Sequence, residues 1–304
     1  MKAPRAVEWD LSVQRLLPGE MLLDVTYIGS NAIRLLQSRS ENRALPGPGA
    51  VQPRRRWPDY GGLTWDANGL PSSYNGLTLK LQRRFAAGLS FLANYTFSHN
   101  LDIYSTERGA QGVQDPLNWR ADHATSQADV TQAFLLSSVW ELPFGRGKSM
   151  LRTGLASWIL GDWQWSNILG LYSGRPFNVV LGFDNANNGG SSQRPNLVGN
   201  PVASDPTRLR WFNTAAFAQP VPFTYGNAGR NILRGPGLKN WDMAVAKNIP
   251  LGERRNLQFR GEFFNTFNFV NFGFPNGNFS SPDFGVITSA GSARSIQLTL
   301  RLAF

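Results

Sequence analysis

Apolar and polar residues alternate along nine stretches of this chain, and each stretch predicts a β-strand, because successive strand side chains point to opposite faces. The last is the cleanest: Ile296, Leu298, Leu300, Leu302 and Phe304 are interleaved with Gln297, Thr299, Arg301 and Ala303. Val7, Trp9, Leu11 and Val13 define a first strand, and Met21, Leu23, Val25 and Tyr27 a second, across a tight turn at Pro18-Gly19. Leu77, Leu79 and Leu81 mark the third; after a turn at Phe85-Ala86-Ala87-Gly88, the fourth carries Leu89, Phe91, Ala93, Tyr95 and Phe97. The fifth, about Val130–Leu142, is less regular, since Phe134-Leu135-Leu136 is a continuous apolar run. A short amphipathic helix fits Leu151–Leu160. Trp163, Trp165, Leu169 and Leu171 carry the sixth strand, Trp241, Met243 and Val245 the seventh, and Leu257, Phe259 and Phe263 the eighth.

The connections alternate in length. Short turns or links follow the first, third, fifth and seventh strands. Irregular segments rich in Pro, Gly, Asn and Ser separate the others, at about residues 37–72, 101–127, 180–237 and 273–291. Such long segments without structure of their own argue against a compact soluble domain. They suit an outer-membrane barrel, where one rim carries short turns and the other long loops. Counting back from the last strand, every short connection falls on one rim.

The polar faces carry Glu8, Asp10, Asp24, Lys80, Gln82, Asn94, Arg260, Glu262, Gln297 and Arg301. Enclosing so many ionisable groups in a dry core would be prohibitively costly. They are expected to face a wet lumen, with the apolar faces turned to lipid. A β-sandwich shows the same alternation with its apolar faces inward, so alternation alone leaves both folds open. The loop lengths and the bare terminal aromatic favour an all-β antiparallel meander of about nine long strands forming part of a transmembrane outer-membrane β-barrel.

Composition sharpens this picture. Aromatics make up 12% of the 304 residues, including 20 Phe and 10 Trp, against 16% charged residues, which suits a membrane interface better than a soluble enzyme. With no cysteine, disulfides and thiolate metal sites are excluded. No apolar run reaches the ~18 residues of a transmembrane helix, so any span is made of strands. The net charge of +10 arises from scattered basic residues in turns and loops, such as Arg83-Arg84 and Arg54-Arg55-Arg56. No binding motif accompanies them, so no nucleic-acid partner is expected.

Several segments resemble one family. Tyr74-Asn75-Gly76-Leu77 through Asn94-Tyr95-Thr96-Phe97-Ser98, Glu141-Leu142-Pro143-Phe144-Gly145-Arg146-Gly147, and Trp211-Phe212-Asn213 through Phe217 are similar to the barrel of TonB-dependent receptors, specifically the Oar-like branch. So are Gly226-Asn227-Ala228-Gly229-Arg230-Asn231 with Leu233-Arg234-Gly235-Pro236-Gly237, and above all Phe259-Arg260-Gly261-Glu262-Phe263-Phe264-Asn265-Thr266-Phe267-Asn268 with Asn271-Phe272. The resemblance covers most of the chain from Trp9 onward. It implies an outer-membrane transporter for a scarce, bulky nutrient, with a plug inside the barrel and energy from TonB. Nothing in the chain resembles a plug or TonB box, and such barrels need about 22 strands. Met1-Lys2-Ala3-Pro4-Arg5 lacks the apolar core of a signal peptide. Residues 1–304 are therefore expected to be the C-terminal part of a longer receptor barrel, partnered by missing N-terminal strands, by TonB through a missing plug domain and by outer-membrane lipid. The alternating strand ending in Phe304 also resembles the signal read by barrel assembly machinery, which would pair with the strand and read Leu300, Leu302 and Phe304.

Candidate sites are few. The two histidines, His99 and His123, supply little material for catalysis, and no catalytic residue, metal or cofactor is expected. Asp184-Asn185-Ala186-Asn187-Asn188-Gly189 has Ala186 and Pro195 where a calcium loop needs oxygen ligands, which leaves an ordinary Asn/Gly loop. Trp9, Tyr95, Trp140, Trp163 and Trp241 read as interface girdle. Trp57, Tyr60, Trp65, Trp211 and Tyr225 are the loop aromatics placed to touch a ligand, and Lys80, Gln82, Arg260, Glu262, Gln297 and Arg301 the polar residues of the lumen. An adhesion or surface-scaffold barrel and a soluble carbohydrate-binding β-protein are the rival functions.

Overall fold

The computed structural model describes residues 2–105, 113–145, 147–252 and 255–304, the side chains of 37–39 excepted. Nine long strands form one antiparallel meander in chain order. They are β1 (Arg5–Leu17), β2 (Met21–Ser40), β3 (Thr64–Ala86), β4 (Leu89–Asp102) and β5 (Gln132–Glu141), followed by β6 (Trp163–Tyr172), β7 (Leu238–Pro250), β8 (Asn256–Phe264) and β9 (Ser295–Ala303). A two-residue strand, Ala124–Thr125, adds to the end of β4. Strands β1 and β9 are the edges and do not pair with one another, so the sheet is an unclosed barrel fragment.

Local chemistry sets the turns. Between β3 and β4, Ala87 and Gly88 both have positive φ, 49° and 82°, the two-residue geometry whose twist matches a hairpin. Where β1 meets β2, Trp9 pairs with Gly29, and its indole lies so close that any Cβ on Gly29 would overlap it. The aromatic ring covers backbone that glycine leaves bare.

The pairing register gathers most of the apolar strand residues on one face of the sheet. One row runs Val13, Val25, Leu79, Tyr95, Phe134 and Leu171; another runs Leu23, Leu81, Ala93, Leu136, Leu169 and Trp241. A third begins at Leu17 and Met21, beside the first short turn, passes through Arg83, Phe91, Ser138, Asn167 and Met243, and ends at Phe263 and Ile296, at the opposite ends of β8 and β9. That drift is the stagger of tilted barrel strands.

The burial is inverted relative to a water-soluble sheet. Even on interior strands, Leu77, Leu79 and Leu171 of the apolar face are 37–42% exposed, whereas the large buried apolar side chains among the described residues lie mainly in the connections. Leaving one such leucine in water forgoes roughly 2 kcal/mol of burial, so a belt of them marks a face that meets an apolar phase.

The four long loops cover residues 41–63, 103–131, 173–237 and 265–294. Two features of the sequence reading are corrected here. Strand pairing continues through much of 37–72, with Gln37–Ser40 paired to Thr64–Ala67. Alternation fails there because bulges interrupt the ladder: Ile33 and Arg34 oppose Pro71, whose missing N–H costs no ladder bond at such a site. The long loops are also not structureless. Phe177, Val179, Phe212, Ala216, Phe217, Ala228 and Leu233 form a core from the third loop, joined by Phe279 and Phe284 of the fourth. Phe212 is its hub, with ring centroids 5.1 Å from Phe284 and 5.8 Å from Phe177 and Phe217. Leu70, Ile103 and Val113 make a second cluster beneath the second loop. Helix α1 (Gly154–Leu160) stands in the link between β5 and β6.

Candidate functional site

The polar face of the sheet is the concave one. A cavity of about 670 Å³ is walled by six consecutive strands, from Gln82 on β3 to Arg260 and Glu262 on β8. Its middle is lined by Ser90, Ser137 and Ser166, small residues from β4, β5 and β6, interleaved with Leu92, Val139 and Ile168. Small side chains leave the open volume.

The register puts Glu8, Asp10, Asp24, Lys80, Gln82, Asn94, Arg260, Glu262, Gln297 and Arg301 on this same face. Some of them are bonded to neighbours along and across the strands. Asp24 accepts from Ser12 Oγ at 3.0 Å, Gln14 Nε2 at 3.0 Å and Thr26 Oγ1 at 2.8 Å. Arg260 donates to Glu262 Oε1 from Nε at 3.0 Å and Nη2 at 2.8 Å, and Gln258 Nε2 reaches Asn248 Oδ1 at 2.9 Å. Trp9, Tyr95, Trp140, Trp163 and Trp241 all lie on the opposite, apolar face. Leu300 and Leu302 share it, and Phe304 is 95% exposed just beyond β9.

Above the cavity, the long loops close into one cap organised by the third. The first loop joins it through Ala44 N–H to Asn188 O (3.1 Å) and Gly47 N–H to Ala186 O (3.2 Å). The fourth joins through Val180 N–H to Gly277 O and Trp211 N–H to Gly285 O, both 2.9 Å. The second is clasped by two buried ion pairs, Arg194–Asp122 and Arg230–Asp102. Arg230 also donates from Nε to Asp122 O at 2.8 Å and from Nη2 to Asp102 O at 2.6 Å. Charges are tolerated at such depth because almost every donor is met.

Asp129, also buried, gathers Asn100 N–H of β4 at 2.7 Å and Arg234 Nη2 at 2.7 Å. Burial pushes its carboxyl up, but the bonds from Arg234, Asn100 and Thr131 outweigh burial and hold it below its ordinary value of 3.8. A depressed folded pKa means the contribution is complete above the ordinary value and fades as pH falls through the lower one. The expected result is a cap that is pH-independent at neutrality and loosens below about pH 4, read by hydrogen exchange in residues 124–131 and 230–235. Asp129→Asn should loosen the cap at neutral pH and flatten the acid dependence.

The loop aromatics divide into two groups. Trp57, Tyr60 and Trp65, with Leu63 and Glu41, line a cavity of about 700 Å³ on the first loop. A fully buried Asn42 fixes it: its Nδ2 donates to the carbonyls of Trp57 (3.0 Å), Tyr60 (3.0 Å) and Gly61 (2.7 Å), while its Oδ1 accepts Trp57 N–H at 3.0 Å. Arg56 stacks over Trp57 at 4.7 Å. Trp211 and Tyr225 are elsewhere. Trp211 packs on the Phe212 core and donates Nε1–H to Arg234 O at 2.8 Å. Tyr225 accepts Asn188 Nδ2 at 2.8 Å in a small cavity beside Asp122 and Arg194, where burial and then Asp115 push its phenol up. Asp184 accepts the N–H groups of Asn188 and Gly189, so its oxygens staple their own loop.

Asn42, Asp102, Asp122, Asp129 and Arg194 carry no signal in the sequence, because their partners lie far along the chain. Arg230 does fall within the Gly226–Asn231 segment singled out above.

No curated protein sequence matches the chain. Among solved structures, it is similar to the outer membrane transporter YddB from Escherichia coli, with 11% identity and a TM-score of 0.52 over 99% of this chain and 33% of that one. It is also similar to the ferric-catecholate import receptor Fiu from Escherichia coli K12, with 11% identity and a TM-score of 0.47 over 99% of this chain and 28% of that one. The chain thus spans about a third of the length of these structures. A family model described as an outer membrane beta barrel domain matches residues 1–297, which accounts for the outward apolar belt and the polar concave wall: the chain belongs to the outer membrane beta-barrel domain family and resides in the outer membrane.

Proposed function

We propose that this chain is part of the transmembrane barrel of a TonB-dependent receptor of the Oar-like branch, importing a bulky, scarce nutrient by binding and passage rather than by catalysis. The observation that carries the reading is the concave polar wall, continuous over nine strands and opening into a cavity of about 670 Å³ beneath an ordered cap. The edges of β1 and β9 are unpaired, and such edges in lipid call for further strands. On this reading TonB acts through a plug domain seated against the polar wall. Barrel assembly machinery pairs with the β9 edge and reads Leu300, Leu302 and Phe304. The aromatic cavity of Trp57, Tyr60 and Trp65 makes the first contact with the nutrient.

An adhesion barrel would share the belt and the cap but would pass nothing. The deciding experiment measures growth on candidate nutrients in cells carrying the full-length protein, with and without TonB. A TonB-dependent growth advantage is expected, lost in the Trp57→Ala/Tyr60→Ala/Trp65→Ala variant at unchanged surface level. Growth indifferent to both TonB and the protein across those nutrients would sink the transport reading in favour of adhesion.

A further inference from the structure

Helix α1 has the wrong polarity for water. Leu155, Trp158, Ile159 and Leu160 are 49–73% exposed, while its one buried residue is Ser157. The helix is pinned by its last carbonyls. Lys247 Nζ donates to Trp158 O and, at 2.8 Å, to Ile159 O; Trp163 Nε1 donates to Ile159 O at 3.0 Å. These bonds meet acceptors that a helix C-terminus leaves open, and the ammonium suits the negative end of the dipole.

Lys247 is the informative residue. It pairs with Trp163 on one side and Phe259 on the other, and Leu300 lies one strand further along that row. This is the apolar face, where a lysine would ordinarily be costly. Here it is only 7% exposed, lying 5.5 Å from the Trp163 ring centroid and 5.9 Å from that of Trp158. The helix therefore sits outside the barrel wall at the short-turn rim, covering the lysine with its carbonyl end and turning its apolar side chains away from protein. Short turns mark the periplasmic rim, so the phase facing those side chains is the inner leaflet of the outer membrane.

We propose that α1 is an interfacial anchor: a helix tethered to the barrel wall by Lys247 that inserts Leu155, Trp158, Ile159 and Leu160 into inner-leaflet phospholipid. Such helices bury their apolar face about 5–10 Å into the boundary between headgroups and acyl chains. The surface is continuous with the belt through Trp163 and Trp165, and Arg152 stands exposed just before the helix, where anionic headgroups would meet it. The inference depends on membrane residence and not on transport, so it stands or falls apart from the function proposed above.

The test uses a nitroxide attached at Leu155→Cys in the full-length protein in isolated outer membranes, this chain having no cysteine of its own. A second label at Ser149→Cys, exposed in the same link, is the aqueous reference. The label at 155 should collide more with oxygen than with a water-soluble nickel chelate, and the label at 149 the reverse. Adding Lys247→Met, which removes the donor but suits a lipid-facing site, should raise both mobility and nickel access at 155. Nickel access at 155 equal to that at 149 would overturn the anchor. An unchanged label in the Lys247→Met background would overturn the tether.

Discussion

Arg230→Ala opens the outer cap and leaves the barrel wall in place. From the third loop, Arg230 binds both Asp102, the last residue of β4, and Asp122 within the second loop. Its loss strands the Asp102 carboxylate, which is 5% exposed, without its counter-charge. Breaking a buried pair from one side costs about 3–5 kcal/mol, enough to raise the open population of the cap by roughly two to four orders of magnitude at about 1.4 kcal/mol per tenfold. Faster hydrogen exchange and protease cleavage in residues 113–131 and 173–237 are expected, with protection in β3 to β8 unchanged. Replacing both partners, Arg230→Met with Asp102→Leu, should restore most of the closure, since matched apolar groups remove the stranded charge. Exchange in the third loop unaffected by Arg230→Ala would show that the Phe212 core alone holds the cap.

The contrast between wall and cap explains what the sequence made legible. A strand with lipid on one side and water on the other must alternate, so Leu298-Thr299-Leu300-Arg301 announces both its structure and its orientation. The cap has no such periodicity. Its core residues, Phe177, Phe212, Phe217 and Phe284, are spread over irregular backbone, and no local spacing links them. The same holds for Arg230 and Asp102, which meet only because the second and third loops fold against each other. Helix α1 was legible as an element from Leu151–Leu160, but not its side of the wall. That depends on Lys247 in another strand, whose apolar-face position only the register reveals. Between these extremes lies β3, whose outer half pairs with β2 although bulges at Gly69 of β3 and Ile33-Arg34 of β2 interrupt the ladder.

The second large effect separates two neighbouring residues of β5. Leu136 lies on the apolar face, paired with Ala93 and Leu169; Ser137 lies on the other, paired with Leu92 and Ile168 and lining the cavity. Leu136 is five residues from the end of β5 at Glu141, or about 12 Å above the rim at the rise and tilt of barrel strands, close to the middle of a ~25 Å apolar band. Arginine at that depth on the lipid face costs about 2–4 kcal/mol, against little or nothing on the lumen face. Leu136→Arg should therefore cut outer-membrane levels of the full-length protein sharply. Ser137→Arg should insert normally and instead project a cation into the cavity, narrowing it without changing abundance. A soluble sheet with its apolar face on a core would also reject arginine at 136. It would do so by unfolding in solution, however, whereas the barrel variant should accumulate in the periplasm, still exported but not inserted. Equal membrane levels for the two variants would mean that the faces of β5 are not divided between lipid and lumen.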